Sequence, residues 1–385
     1  MCVEDDALGD FMKSRFDNFL VTTDQLSDWD QTEIFEVNSG KLEALELWAV
    51  FEDFSRFAVD GYMESFSDTL PSDKDAKGFD ILYVLDDGHL DELNEFEYRW
   101  ESFNRSVRHG MRFFNKEAKE FCDDLFAGMF ESDELAESVV REVALDTSIY
   151  RARIAFSKSE LKEISKDPVK QLCSVPSELA GSQRMTPAGV SAFYGAFDRD
   201  TCVSELRPLV GDAVVSAEFR PNRALKLLDL NALADMEPPS DVFAENYQKQ
   251  AHARAFFKEL VFQLSRPSRR GDQHDYLATQ VIFEYLRTKV SKQVNGIKYS
   301  SVQNDGEGQC ISLFPEYSGV NDGFVELNEN PFDLLKPENA LFCVPDSLKF
   351  FRVESASYDG SQYDDSYVLM ADDRMLKLLF PSERY

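Results

Sequence analysis

Histidine is scarce in this chain, four in 385 residues, and none of the six cysteines (Cys2, Cys122, Cys173, Cys202, Cys310, Cys343) stands in a C-x-x-C pair. Structural zinc and disulfide frameworks need closely spaced imidazoles or thiols, so no metal is expected and the cysteines read as reduced thiols, mostly buried. Long apolar runs are missing too. No stretch approaches the roughly 18 to 20 residues that span a bilayer, and Met1 to Asp10 carries four acids where a secretory leader would be basic and then apolar. A cytoplasmic protein without a membrane partner is the expectation. Bases are outnumbered, 41 against 71 acids, for a net charge of −30. That excludes a generic polyanion binder, whose affinity rests on neutralising phosphates, so no direct nucleic-acid contact is expected. Absent as well are G-x-G-x-x-G, a Walker loop, G-x-S-x-G and H-E-x-x-H.

What the chain does have is apolar bulk: 43% hydrophobic residues, with 32 Phe and 14 Tyr. This suits a globular protein, and its length, at roughly 150 residues per domain, fits two or three domains. The charge is unevenly spread, −24 over residues 1–147, +4 over 148–304 and −10 over 305–385. A mildly basic segment between acidic flanks is where an anionic small molecule is most easily held.

The first segment has helical rhythm. Phe96, Trp100, Phe103, Val107, Met111, Phe114, Ala118, Phe121 and Leu125 recur in steps of three or four, which predicts one long helix with an apolar stripe. Leu47, Phe51, Phe54, Ala58 and Tyr62 predict a second helix and Asp133 to Ala144 a third, giving an N-terminal α-helical bundle over 1–147. From Ile149 the texture changes to short apolar runs, Val214 to Phe219 and Ala224 to Leu230, with one clear helix at Leu277 to Val290. After Pro315, Phe342 to Val344, Phe350 to Val353 and Tyr367 to Met370 read as strands, and Met375 to Phe380 as a final apolar turn, in a β-rich extension over 316–385. The fold class is therefore α+β. The basic cluster Arg266, Arg269, Arg270 reads as a solvated loop, and His252 and His274 as surface residues.

Functional side chains gather in the middle segment: Arg151 in I-Y-R-A-R, Arg184, Tyr194 and Glu205 at short intervals, and Tyr299-Ser300-Ser301 after Asn295-Gly296. The runs I-Y-R-A-R, R-M-T-P-A-G-V-S-A-F-Y-G-A, T-C-V-S-E-L, K-L-L-D-L, A-T-Q-V-I-F-E-Y and N-G-I-K-Y-S-S, in that order over about 148–315, resemble the RES domain family. Where the family often has G-R-x-N-P, this chain has Gly181 three residues before Arg184 and Thr186 in place of Asn. The region in front resembles the HEPN-like helical domain. Active HEPN nucleases carry R-x4-6-H, whereas Arg105 and His109 have three residues between them, so the resemblance extends to the fold and not to RNA cleavage.

The RES resemblance implies a mixed α/β core like that of ADP-ribosyltransferases and an enzyme that consumes NAD as substrate. The implied activity is a bacterial toxin-antitoxin enzyme: an NAD glycohydrolase or phosphorylase, or an ADP-ribosyltransferase. By motif position, Glu205, Arg151 and Tyr194 are the implied catalytic residues, and Arg184 and Ser301 the implied NAD-binding ones. Implied partners are an Xre-type antitoxin or a second copy through the helical domain. A catalytically silent nucleotide- or partner-binding regulator is the alternative.

Overall fold

A computed structural model of the chain describes residues 20–22, 45–46, 82–86, 94–236, 244, 246–265, 276–301, 303, 307–323 and 339–355. The chain divides into two compact units, Met1–Val139 with Asn231–Val261, and Val140–Leu230 with Phe262–Tyr385. Helices and a mixed sheet make the protein α+β, as its patterning predicts. The expected helix at 47–62, the strand at 367–370, the apolar turn at 375–380, the 266–270 cluster and His274 lie outside the described residues.

In the first unit, β1 (Leu20–Thr22), β2 (Leu45–Glu46) and β3 (Leu82–Leu85) form an antiparallel sheet in the order β1-β3-β2, which helical patterning alone does not anticipate. The long aromatic stripe is two helices, Glu95–His109 and Lys116–Leu125. The first ends at Gly110, and Asn115 then caps the second by accepting a hydrogen bond from Ala118 N at 3.0 Å. A capping side chain that competes for backbone N–H groups breaks the run even though the apolar spacing continues. Met111 and Phe114 fall in the break and point into solvent, Phe114 with a left-handed φ of 54°. The other members of the stripe build the core: the Phe103 and Phe121 rings lie 5.0 Å apart, and Phe96 stacks on Phe256 of the helix Tyr247–Ser265 at 6.4 Å.

The helix expected from Asp133 to Ala144 does not form. Ser132 and Asp133, at φ 51° and 73°, turn the chain between β4 (Phe130–Glu131) and β5 (Glu134–Leu135). Two consecutive positive φ values make the tight hairpin turn whose twist matches the strands it joins. The valines that follow enter β6 (Val140–Val143), as their branched side chains favour. His252 is not at the surface: it is 3% exposed, its Nε2 hydrogen-bonded to Asp86 Oδ1 at 2.7 Å, on the inward face of its helix.

The second unit is built on one sheet. Besides β6 it contains β7 (Ile149–Ala155), β8 (Phe193–Ala196), β9 (Ala213–Pro221), β10 (Leu225–Asp229), β11 (Gly296–Ser300), β12 (Gln309–Leu313), β13 (Val320–Asp322), β14 (Leu341–Cys343) and β15 (Lys349–Arg352). Among the described residues the order is β13-β14-β9-β7-β8-β12-β11-β10-β6, with β15 added beside β9. β10/β11 and β13/β14 run parallel and the other pairs antiparallel. Ile149, Phe193, Val215, Phe219, Leu227, Ile311 and Leu313 are wholly buried in its core. The apolar runs at 214–219 and 224–230 are β9 and β10, and the expected helix is found at Leu277–Val290.

The join between β7 and β8 positions the site. β7 pairs with β9 along its whole length, but with β8 at a single position, Tyr150 opposite Ala196. Gly195 makes that close approach possible, since a Cβ there would sit 2.8 Å from Ile149 Cγ2 and 2.9 Å from Tyr150 O. Arg151 follows Tyr150 on one strand, and Tyr194 precedes Gly195 on the other. Gly195→Ala is expected to destabilise the protein by about 1 to 3 kcal/mol, the usual range for overpacking, read as a lower urea midpoint at unchanged slope.

Candidate functional site

Glu205 is the last residue of the helix Arg199–Glu205, which Asp198 caps by accepting from Thr201 N at 2.7 Å. Thr201 is buried against Gly308, where a Cβ would lie 2.2 Å from the threonine Oγ1. The helix therefore sits directly on the chain entering β12, with no room for a larger residue between them. That packing places the half-buried Glu205 carboxylate beside Ser301, at the end of β11.

Ser301 has no exposed surface. Its N–H donates to Gly308 O at 2.7 Å, and its Oγ donates to Glu205 Oε1 at 2.5 Å while accepting from Gln303 N at 3.2 Å. Both roles of the hydroxyl are used inside the protein. The second carboxylate oxygen faces Arg184, Nη2 to Oε2 at 3.4 Å, with the two side chains 13% and 20% exposed. Burial works against the charge on Arg184, but Tyr299 and Glu205 outweigh it and hold the guanidinium above its ordinary range.

Arg184 lies in a loop that the helix Leu277–Val290 holds in place. Gln280 Nε2 donates to Ser182 Oγ at 2.9 Å and to Gln183 O at 2.7 Å, and Thr279 Oγ1 donates to Arg184 O at 2.5 Å. Within the loop, Gln183 N donates to Thr186 O at 2.8 Å. Thr186 then carries the connection onward: its Oγ1 is 3.0 Å from the Tyr194 hydroxyl. Burial pushes the Tyr194 phenol up, and its hydrogen bonds and the charges of Arg151 and Arg184 only partly offset this.

Arg151 lies over the Phe193 ring at 5.2 Å and donates from Nη1 to Tyr194 O at 3.4 Å. Burial lowers its pKa. All five residues marked out by sequence thus share one neighbourhood. Ser301 and Arg184 each contact Glu205, the loop that carries Arg184 reaches the Tyr194 hydroxyl through Thr186, and Arg151 donates to the Tyr194 carbonyl.

Two contributors, Gln280 and Arg207, go unmarked by the sequence reading, and a third, Tyr299, is noted there only as part of the Tyr299-Ser300-Ser301 run. Tyr299 is 4% exposed, and Arg184, Glu205 and Tyr194 all bear on its phenol, which burial drives well above its usual range. The Y-x-S spacing directs attention to the serine and hides the tyrosine. Gln280, inside A-T-Q-V-I-F-E-Y, has the spacing of a core helix residue, and only the fold shows what its amide holds. Arg207, two residues after Glu205, looks like any loop cation until its neighbours are known.

Cys122, Cys173, Cys202, Cys310 and Cys343 are free, all but Cys173 buried. Burial pushes Cys202 up to about 12 and Cys310 higher still. Among the described residues there is no His, Cys, Asp and Glu cluster able to hold a metal ion and no helix long and apolar enough to cross a membrane.

Two measurements follow. Gln280→Ala is expected to speed amide exchange at Gln183 by about tenfold or more, because the loop loses the side chain that ties it down. In wild type, peptide-resolved iodoacetamide labelling at pH 8 is expected to spare Cys202 and Cys310. A thiol whose pKa is raised stays protonated until the pH climbs to that value, and only the thiolate reacts.

A search of the curated proteins finds no match to the chain. Residues 150–329 match the family model of the RES domain, and the match does not extend to the residues in front, so the HEPN-like resemblance gains no support from it. The span begins one residue before Arg151 and takes in Arg184, Tyr194, Glu205 and Ser301. Over residues 150–329 the chain is thus similar to the RES domain, a family linked to NAD-related toxin activity.

Proposed function

We propose that this domain breaks the bond between nicotinamide and ribose in NAD, with Glu205 as the catalytic carboxylate. The single observation that carries the reading is the setting of Glu205: a half-buried carboxylate with one oxygen held by a buried hydroxyl and the other facing a guanidinium. Nicotinamide is cationic while attached to ribose and neutral once it leaves. The electron pair of the breaking C–N bond goes to the pyridinium nitrogen, so no acid is needed at the leaving group, unlike ordinary glycoside hydrolysis. Positive charge then develops on the ribose, and a fixed anion stabilises that state more than the substrate.

The remaining residues take roles that follow from their contacts. Ser301, with its hydroxyl committed to Glu205, orients the carboxylate. Arg184 offers a planar fork for a phosphate of the NAD diphosphate, a geometry that guanidinium matches better than ammonium. The neutral Tyr194 ring presents a π face to the pyridinium, worth about 0.5 to 2 kcal/mol. Arg151 supports the Tyr194 backbone and adds positive potential for the anionic substrate. The oxygen that completes the reaction at ribose C1′ comes from water, phosphate or a protein side chain. Release within the bacterial cytoplasm would deplete NAD, and an Xre-type antitoxin covering the site would restrain it.

The purified chain is expected to release nicotinamide from NAD. Glu205→Gln should slow release by about a thousandfold, equivalent to about 4 kcal/mol of transition-state stabilisation, with NAD affinity changed little. Ser301→Ala should lower kcat more than it raises KM, since it leaves the carboxylate in place but free to rotate. Tight NAD binding by wild type with no nicotinamide release over hours would identify a silent binding protein instead.

A further inference from the structure

Beyond the residues that match the RES domain, the chain returns to β9 twice. β14 pairs with its C-terminal end, Cys343 opposite Phe219 and Leu341 opposite Pro221, and β15 with its N-terminal half, from Lys349 opposite Ser216 to Arg352 opposite Ala213. Between the two ladders, residues 344–348 stand opposite only Ala217 and Glu218. The surplus residues turn at Asp346, whose φ of 56° lies in the left-handed region, where a side chain is strained. The bulge is fastened on both sides of that turn: Val344 N donates to Glu218 O at 2.9 Å, and Glu218 N donates to Ser347 Oγ at 3.0 Å. Leu348 packs against the core. Bulges of this kind interrupt a ladder and redirect the groups within it, and they concentrate beside active sites.

The group redirected here is the Ser347 carbonyl. It accepts from Arg199 Nη2 at 3.3 Å, while Nη1 of the same guanidinium donates to Ser216 O at 3.1 Å. The Arg199 Cζ lies 4.5 Å from the centre of the Tyr150 ring. One planar fork thus holds β9 through Ser216, β7 through Tyr150 and the C-terminal segment through Ser347. An ammonium is a point charge and has no such fork. Arg199 is also the first residue of the helix that ends in Glu205. That helix is only about 10 Å long at 1.5 Å per residue, so a shift of its first turn moves the carboxylate on its last. The Asp198 cap and the seat of Thr201 on Gly308 fix the helix on the side of β12. Arg199 fixes it on the side of β9.

We propose that Arg199 is a positioning residue for the Glu205 carboxylate. The segment 341–353, outside the family match, is then part of the scaffold of the site, because it supplies one of the two carbonyls that hold Arg199. The effect on catalysis rests on the NAD reading above, whereas the coupling of the helix to the C-terminal segment does not. Both acceptors are main-chain carbonyls, so replacing the side chain of Ser216 or Ser347 does not remove them, and Arg199 is the place to break the contact.

Peptide-resolved hydrogen exchange, run beside steady-state nicotinamide release, tests this on Arg199→Ala and Arg199→Lys. Arg199→Ala is expected to speed amide exchange about tenfold in both 201–206 and 344–348 and to leave Leu277–Val290 unchanged, since a local contact is lost and not the fold. Its kcat should fall about tenfold or more with KM within about twofold of wild type, as when a group that acts in the transition state is misplaced. Arg199→Lys, whose ammonium reaches one carbonyl at a time, should fall between. Unchanged exchange in either segment would overturn the proposal, as would equal acceleration in Leu277–Val290, the mark of a general loss of stability. Faster local exchange with kcat unchanged would overturn the positioning role. Wild-type protein that releases no nicotinamide would remove the NAD reading, and exchange alone would then decide the coupling.

Discussion

The Glu205 carboxylate depends on contacts from three separate parts of the chain. Ser301 comes from the end of β11, Arg184 from the loop before β8, and Glu205 itself from the C-terminal end of a seven-residue helix. So short a helix has little stability of its own. Its place is set by the Asp198 cap and by the packing of Thr201 on Gly308. The two contacts on the carboxylate differ in kind. The Ser301 bond is short and comes from a wholly buried hydroxyl, whereas the Arg184 contact is longer.

Around this contact the second unit is a scaffold of one mixed sheet. β7 is fully paired with β9 and pinned to β8 at one position only. Arg151 and Tyr194 flank the join. The loop carrying Arg184 is held by the side chains of Thr279 and Gln280 as well as by its own backbone, so a helix of the core determines where the guanidinium sits. Such dependence on supporting contacts is typical of sites that need an accurate geometry.

The electrostatics agree with an anionic substrate in an acidic protein. A net charge of −30 repels anions at long range, but screening confines that effect to about a Debye length, roughly 8 Å at physiological ionic strength. Close to Glu205 the Arg184 guanidinium offsets this, and Arg151 adds a second cation at the Tyr194 carbonyl. Burial keeps the two tyrosines neutral and the neighbouring cysteines protonated, so none of them adds negative charge beside Glu205.

Some of this was legible from residue order alone. Periodicity located the helix Leu277–Val290 and the strands β9 and β10, because burial on one face leaves its mark directly in the spacing of apolar residues. The six short motifs marked out the segment that matches the RES family, along with residues that the fold gathers into one place. The same periodicity misled where local hydrogen bonding overrode it. Asn115 broke the aromatic stripe into two helices, and paired left-handed residues at Ser132 and Asp133 made a hairpin where a helix was expected. Two matters were decided only in three dimensions: that Ser301 serves Glu205, and that Gln280 holds the Arg184 loop. These contacts join residues far apart in the chain. Composition and spacing record which side chains are buried, but not which of them meet.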